Sequence, residues 1–324
     1  MKCILVTGAA GFIGFHLVKE LQKNKNYLIV GIDNLNNYYD VELKKTRVSI
    51  LQRKKNFIFF KIDITDLNNL RKIFKKYKLQ YVVNLAAQAG VRYSIEKPST
   101  YFKSNLEGFF NVINLSKDYG IKHFVFASTS SVYGNQTKFP IKENYDTDKP
   151  LSFYAATKKS NEVIAHSFSN IYALPSTGLR FFTVYGPYGR PDMALYKFSM
   201  DIINNKSIKL FNYGDHERDF TFITDIVEGI IKIISKPPKK KIPYEIFNIG
   251  GNKSYKLKRF ISIIENNLKT KAKFEYLPLQ KGDVRKTQAS TKKLNTFINK
   301  KSYVKLEFGI KKFIKWFNNT YEKK

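Results

Sequence analysis

Three polar side chains have the types and spacing to take a proton from an alcohol while a hydride leaves its carbon. Tyr154 and Lys158 stand four residues apart in Tyr154-Ala155-Ala156-Thr157-Lys158. On a helix that spacing sets them one turn apart on the same face. An ammonium beside a phenol favours the phenolate, so Tyr154 is read as a base working near neutral pH. Thr129, in Ser128-Thr129-Ser130-Ser131-Val132-Tyr133-Gly134, offers a hydroxyl to hold the oxygen being deprotonated.

The hydride needs an acceptor, and the start of the chain provides a place for one. Gly8-x-x-Gly11-x-x-Gly14, with Phe12 and Ile13 inside it, follows the apolar run 2–7 and opens a helical pattern. Glycines there allow a tight turn, close approach of a pyrophosphate and close helix packing. Asp33, with Asn34 beside it, comes 19 residues after Gly14 at the end of the next apolar run. A carboxylate at that place binds a ribose diol, which favours NAD over NADP. Asp63 and Ile64, ending a third run, are placed to border an adenine.

Positioning these groups requires alternating strands and helices. Strands are expected at 2–7, 27–32, 57–62, 81–85, 123–127, 176–181 and 244–249. Helices are expected at 12–23, 67–76, 99–118, 154–172, 225–234, 257–268 and 311–321, while 181–219 reads as loop-rich. Buried strands alternating with helices predict an α/β fold, a doubly wound parallel sheet that binds ligands beyond its carboxyl edge. The chemistry-bearing residues fall at such strand ends.

Composition narrows the class. The chain has 324 residues, 43% hydrophobic and 15% aromatic, which fits one large or two joined globular domains. No stretch approaches the roughly 20 apolar residues of a membrane span. Cys3 is the one cysteine, so no intrachain disulfide forms, and a cytoplasmic protein without a signal peptide is expected. The net charge of +31 permits a nucleic-acid partner, but only nine of 57 basic residues are arginine and the lysines are diffuse. They read as solvated faces, and no nucleic acid is expected. His16, His123, His166 and His216 lack ligand spacing, so no metal is expected.

Together the glycine loop, Asn84-Leu85-Ala86-Ala87, Ser128-Thr129, Tyr154-x-x-x-Lys158 and Arg218-Asp219-Phe220 resemble the extended short-chain dehydrogenase/reductases. The branch is that of the NAD-dependent nucleotide-sugar epimerases and dehydratases, and the resemblance spans nearly the whole chain. Within it, Gln88-Ala89-Gly90-Val91-Arg92-Tyr93-Ser94, Arg180-Phe181-Phe182-Thr183-Val184-Tyr185-Gly186-Pro187 and Gly189-Arg190-Pro191-Asp192-Met193-Ala194 are similar to segments of UDP-glucuronate 4-epimerases.

The resemblance implies a Rossmann domain at 1–180 plus about 220–250 and a smaller α/β substrate domain at 181–219 and 251–324. It implies a homodimer paired through two helices. It adds Leu85, Ala86 and Ala87 to the NAD site. It places Arg92, Tyr93, Ser94, Thr129, Ser130, Ser131, Thr183, Arg190, Arg218 and Asp283 at a UDP-sugar. The implied reaction oxidises the sugar at C4 and returns the hydride to the other face. Related dehydratases carry Thr-Asp-Glu, and related decarboxylases Thr-Ser-Glu, where this chain has Thr129-Ser130-Ser131. Neutral hydroxyls and the Arg190 fork suit a carboxylate substrate, which a glutamate would repel. The neighbouring readings are a UDP-glucose or UDP-N-acetylglucosamine 4-epimerase, a UDP-glucuronate decarboxylase, and a nucleic-acid-binding member of the same fold.

Overall fold

The structure is a computed structural model that describes residues 2–280 and 282–321. In chain order the strands are β1 (Lys2–Thr7), β2 (Tyr27–Asp33), β3 (Phe57–Lys61), β4 (Tyr81–Asn84), β5 (His123–Thr129), β6 (Ser176–Phe181), β7 (Thr183–Tyr185), β8 (Ser207–Leu210), β9 (Glu217–Phe222), β10 (Tyr244–Ile249), β11 (Ser254–Lys256) and β12 (Lys273–Tyr276). The helices are α1 (Phe12–Leu21), α2 (Val41–Gln52), α3 (Leu67–Lys76), α4 (Tyr93–Glu96), α5 (Pro98–Tyr101), α6 (Gly108–Asp118), α7 (Phe153–Tyr172), α8 (Ala194–Ile203), α9 (Ile223–Ile234), α10 (Leu257–Leu268), α11 (Lys292–Ile298) and α12 (Leu306–Tyr321).

The main sheet runs β10-β6-β5-β4-β1-β2-β3, every pair parallel. Successive side chains of a strand point to opposite faces, and both faces here are apolar. Ile4 and Val6 of β1 pack with Phe15 and Leu17 of α1, Leu51 of α2 and Ile226 and Ile230 of α9. Cys3 and Leu5 of the same strand pack with Ile73 of α3, Phe109 and Val112 of α6 and Ala165 of α7. The chain winds one way from β1 through β2 to β3 and the other way from β4 to β10. The ligand crevice of such a sheet lies where that order reverses, beyond β1 and β4. The expected doubly wound fold is what forms.

Three parts differ from the sequence-based expectation. α2 lies in a segment to which no element was assigned, because two of its buried positions are Lys44 and Arg47 and they mask the apolar stripe of Leu43, Val48 and Leu51. The expected helix 99–118 is broken into α5, a π-helical turn at Phe102–Glu107, and α6. A π turn inserts an extra residue into the helical ladder and shifts the faces beyond it. The 181–219 stretch holds β7, α8, β8 and the start of β9. Its strands pair with distant segments: β9 lies between β7 and β11, and β8 pairs with β12. Short strands with remote partners leave little local period to read.

Candidate active site

The glycine loop forms a cradle that only bare backbone fits. Gly8 has φ +68°, and a Cβ on it would lie 2.8 Å from the Ala86 nitrogen. A Cβ on Gly11 would lie 3.0 Å, and on Gly14 2.1 Å, from the Gly8 carbonyl oxygen. Gly11 is the N-cap of α1 and offers no side chain to that helix's first N–H groups. Phe12 and Ile13 open the helix. A cradle of this kind, with free N–H groups at a helix start, fits the pyrophosphate of a dinucleotide.

The other expected cofactor residues border the same edge. Asp33 ends β2, and its carboxylate accepts from the Ala10 nitrogen at 3.1 Å and the Leu35 nitrogen at 2.9 Å. Burial pushes its carboxyl up, opposed by those N–H groups and by the charges of Lys44 and Arg47. Asn34 donates to Asp63 at 2.7 Å, joining the ends of β2 and β3. Asp63 also accepts from the backbone and hydroxyl of Thr65, while Asp66 is the side chain that caps α3. Ile64 is buried, where a Cβ on Gly108 would meet it. Leu85, Ala86 and Ala87 follow β4, and the Ala86 nitrogen donates to the Thr7 hydroxyl at 3.0 Å.

Thr129 is the last residue of β5, and Ser130 and Ser131 begin the 3-10 turn after it. The Thr129 hydroxyl donates to the Ser131 hydroxyl at 3.2 Å and accepts from the Ser131 nitrogen at 3.2 Å. Tyr154 lies in the first turn of α7, whose start is fixed by the Ser152 side chain accepting from the Ala155 nitrogen at 3.1 Å. Lys158 follows one turn on, buried, and no hydrogen bond joins the two side chains. Burial pushes the Tyr154 phenol up, while the Thr129 hydroxyl and the Arg190 charge pull it down. The Tyr154 ring packs edge-on against Tyr101 with centroids 6.0 Å apart.

Burial pulls the Lys158 ammonium from its ordinary 10.5 down to about 8, against the raising effect of the Glu162 carboxylate. Once unfolded, the lysine regains its ordinary value, so between these two values the unfolded chain binds the extra proton. Raising the pH through that window therefore stabilises the folded, NAD-free protein relative to a Lys158→Met variant. Urea midpoints of both proteins at about pH 7.5 and about pH 9.5 measure this. The gap should shift in favour of the natural protein at the higher pH; a gap independent of pH contradicts the assignment.

Of the residues expected at the substrate, Arg92, Arg218 and Asp283 come together from three distant segments. Asp283 lies 3.4 Å from Arg218 and 3.7 Å from Arg92, whose guanidinium also stacks 4.5 Å from the Phe211 ring centroid. Thr183 and Arg190 line a small, narrow cavity with Phe12, Gly186, Gly189 and Met193, while Thr129 and Tyr154 lie outside its lining. The expected Arg190 fork is closed on Asp192, with bonds of 3.0 and 2.5 Å. Tyr93 packs against Tyr38 and Tyr101. Ser94 is buried and donates to the Val91 carbonyl, so its hydroxyl serves the local turn.

Some residues that shape the site carry no readable motif. Asn105, in the π turn, bonds the Gln88 backbone through both its amide atoms and donates to Thr157 at 3.0 Å; its own carbonyl accepts from Asn161 at 2.6 Å. It thereby ties the loop after β4 to α7. Glu162, one turn beyond Lys158, takes a two-pronged bond from Arg180 and a third from Ser128. An asparagine inside an apolar helical pattern was the only signal for the first; spacing of four from Lys158 was the signal for the second.

A strand–glycine loop–helix cradle, a Tyr/Lys pair on one helix and a hydroxyl at the adjoining strand end are the arrangement expected of a dinucleotide-dependent enzyme. The sequence pattern of the NAD dependent epimerase/dehydratase family matches residues 4–250, and the chain belongs to that family. It is 46% identical over 334 residues to Protein CapI of Staphylococcus aureus, covering 99% of both chains. It is 42% identical over 323 residues to the UDP-glucuronate 4-epimerase of Thermodesulfobacterium geofontis, covering 99% of this chain and 98% of that one. The UDP-glucuronic acid 4-epimerase from Bacillus cereus, solved in complex with UDP-glucuronic acid and NAD, superposes with a TM-score of 0.92 at 33% identity. That match covers 98% of this chain and 100% of the other.

Proposed function

We propose that this protein is an NAD-dependent UDP-sugar 4-epimerase that converts UDP-glucuronate to UDP-galacturonate through a transient 4-keto sugar. The observation that carries this reading is the hydroxyl-only turn Thr129-Ser130-Ser131 beside Tyr154. Bound in the cradle, NAD supplies the hydride acceptor for C4. Tyr154 takes the 4-hydroxyl proton, Thr129 holds the same oxygen, and Lys158 supplies positive charge below its depressed pKa. No carboxylate in that turn drives elimination at C5 and C6 or repels the substrate's own acid. Ser130, Ser131 and Thr183 hold that acid with neutral donors, while Arg190 keeps Asp192 as its partner. Arg92 and Arg218 take the diphosphate, with Asp283 between them. The relatives named as UDP-glucuronate 4-epimerases support the same substrate.

Initial rates with UDP-glucuronate, UDP-glucose and UDP-N-acetylglucosamine test the reading. Turnover should be confined to the first, or favour it by about a hundredfold; preference for a neutral sugar sinks the carboxylate assignment.

The proposed substrate half comprises 181–219 and 251–324, and the NAD half 1–180 with about 220–250. A cytoplasmic location accords with a chain whose one cysteine is buried and which, among the described residues, has no helix long and apolar enough to cross a membrane. The proposed dimer pairs through α6 and α7. Phe110 is 48% exposed, Val163 57% and Ile171 64%, and the two helices lie side by side through Phe110 and Phe168. Such an apolar face needs cover. Val163→Glu should shift sedimentation from dimer toward monomer; a natural protein that sediments as a monomer contradicts the assignment.

A further inference from the structure

Arg47 is fully buried, and its guanidinium meets three separate stretches of chain. One terminal nitrogen donates to the Ala10 carbonyl and the Tyr39 hydroxyl, each at 2.8 Å. The other donates to the carbonyls of Tyr188 at 2.7 Å and Gly189 at 3.4 Å. Its Nε is buried without a partner. Among the described residues no carboxylate lies within ion-pair distance of it. The same holds for Lys44, one turn earlier on α2, which is also buried and donates to the carbonyl and side chain of Asn36.

A buried cation without a counter-ion is costly, and bonds to neutral carbonyls satisfy its donors without cancelling its charge. The Asp33 carboxylate feels both Lys44 and Arg47, which sets one negative charge against two positive ones beside the glycine loop. The unmatched charge sits against Ala10, inside the cradle that fits a pyrophosphate. On its other side Arg47 holds the loop 186–193, which carries Arg190 and Asp192. That loop flanks the cavity shared by Phe12 and Thr183, and its Arg190 charge reaches Tyr154.

We propose that Arg47 is a positioning residue that couples dinucleotide binding to the substrate loop. An anion in the cradle compensates the buried charge, and the same guanidinium, then fully neutralised, holds residues 188 and 189 in place for the nucleotide sugar. Occupancy of one site therefore tightens the other. A lysine at this position keeps the charge but lacks the planar fork that spans both loops.

The inference rests on reading the glycine loop as a dinucleotide cradle, and its test separates the two. UDP affinity is measured by calorimetry on the full-length protein, NAD-free and saturated with NAD, for the natural chain, Arg47→Met and Arg47→Lys. In the natural protein NAD should tighten UDP by about tenfold, an ordinary coupling between sites. Arg47→Met should weaken NAD and reduce the coupling to within about twofold. Arg47→Lys should keep NAD affinity near the natural value and still lose the coupling. If Arg47→Met fails to fold, Arg47→Lys decides alone. Unchanged coupling in Arg47→Lys, with or without a lower melting temperature, overturns the inference, because a merely structural arginine would give that result. Natural protein that binds NAD and UDP with no mutual effect also overturns it. Natural protein that binds no NAD removes the cradle reading itself.

Discussion

Replacing Tyr154 with Phe should lower turnover of UDP-glucuronate by about 10²–10⁴-fold, the range over which a positioned acid–base group acts. The substitution removes one oxygen. The ring stays against Tyr101, and Ser152 still caps α7, so fold and NAD binding should persist. Specificity for the phenol comes from its neighbours. Burial alone would hold the proton on, and the Thr129 hydroxyl and Arg190 charge are what pull the other way. The loss should therefore fall on kcat, with NAD affinity within about twofold of the natural protein. Steady-state rates together with NAD titration check this, and an active variant would remove Tyr154 from the mechanism.

The largest effect on stability should come from Arg180→Met. Arg180 lies on β6 and Glu162 on α7, both buried, joined by bonds of 2.9 and 2.8 Å. Arg180 also donates to the Tyr133 hydroxyl at 2.8 Å and to the Glu143 carbonyl at 2.9 Å. Removing it leaves a buried carboxylate with the Ser128 hydroxyl as its remaining side-chain partner. Breaking one side of a buried pair costs about 3–5 kcal/mol. The pair as a whole is worth far less than its rupture suggests, because both charges were taken out of water. Glu162→Leu combined with Arg180→Met should therefore recover most of the loss. Urea unfolding of the single and double variants measures both numbers; a single variant within about 1 kcal/mol of the natural protein contradicts the account.

Much of the scaffold was legible because it obeys short-range rules. β1 reads as apolar on both faces since helices cover both, and the glycine loop after it admits nothing larger than glycine at Gly8 and Gly14. Tyr154 and Lys158 were legible because helical spacing alone puts them together. What escaped depends on contacts between distant segments. α2 was hidden because Lys44 and Arg47 occupy inward positions that normally hold apolar side chains. The π turn at Phe102–Glu107 leaves no composition signal, yet it turns Asn105 toward Gln88 and Thr157. Arg190 was read from the sequence as a fork for a substrate carboxylate, and its closure on Asp192 required both side chains to fold back into one loop. The small sheet escaped because β7, β9 and β11 are recruited from three separate regions.

The central claim is that C4 of the sugar is oxidised and then reduced on its other face within one binding event. UDP-glucuronate carrying deuterium at C4 tests it most directly, with products followed by NMR and mass spectrometry. The expected product is UDP-galacturonate of unchanged mass, with deuterium retained at C4 and no release of carbon dioxide. A pentose product with carbon dioxide, or loss of the C4 deuterium to solvent, would contradict it.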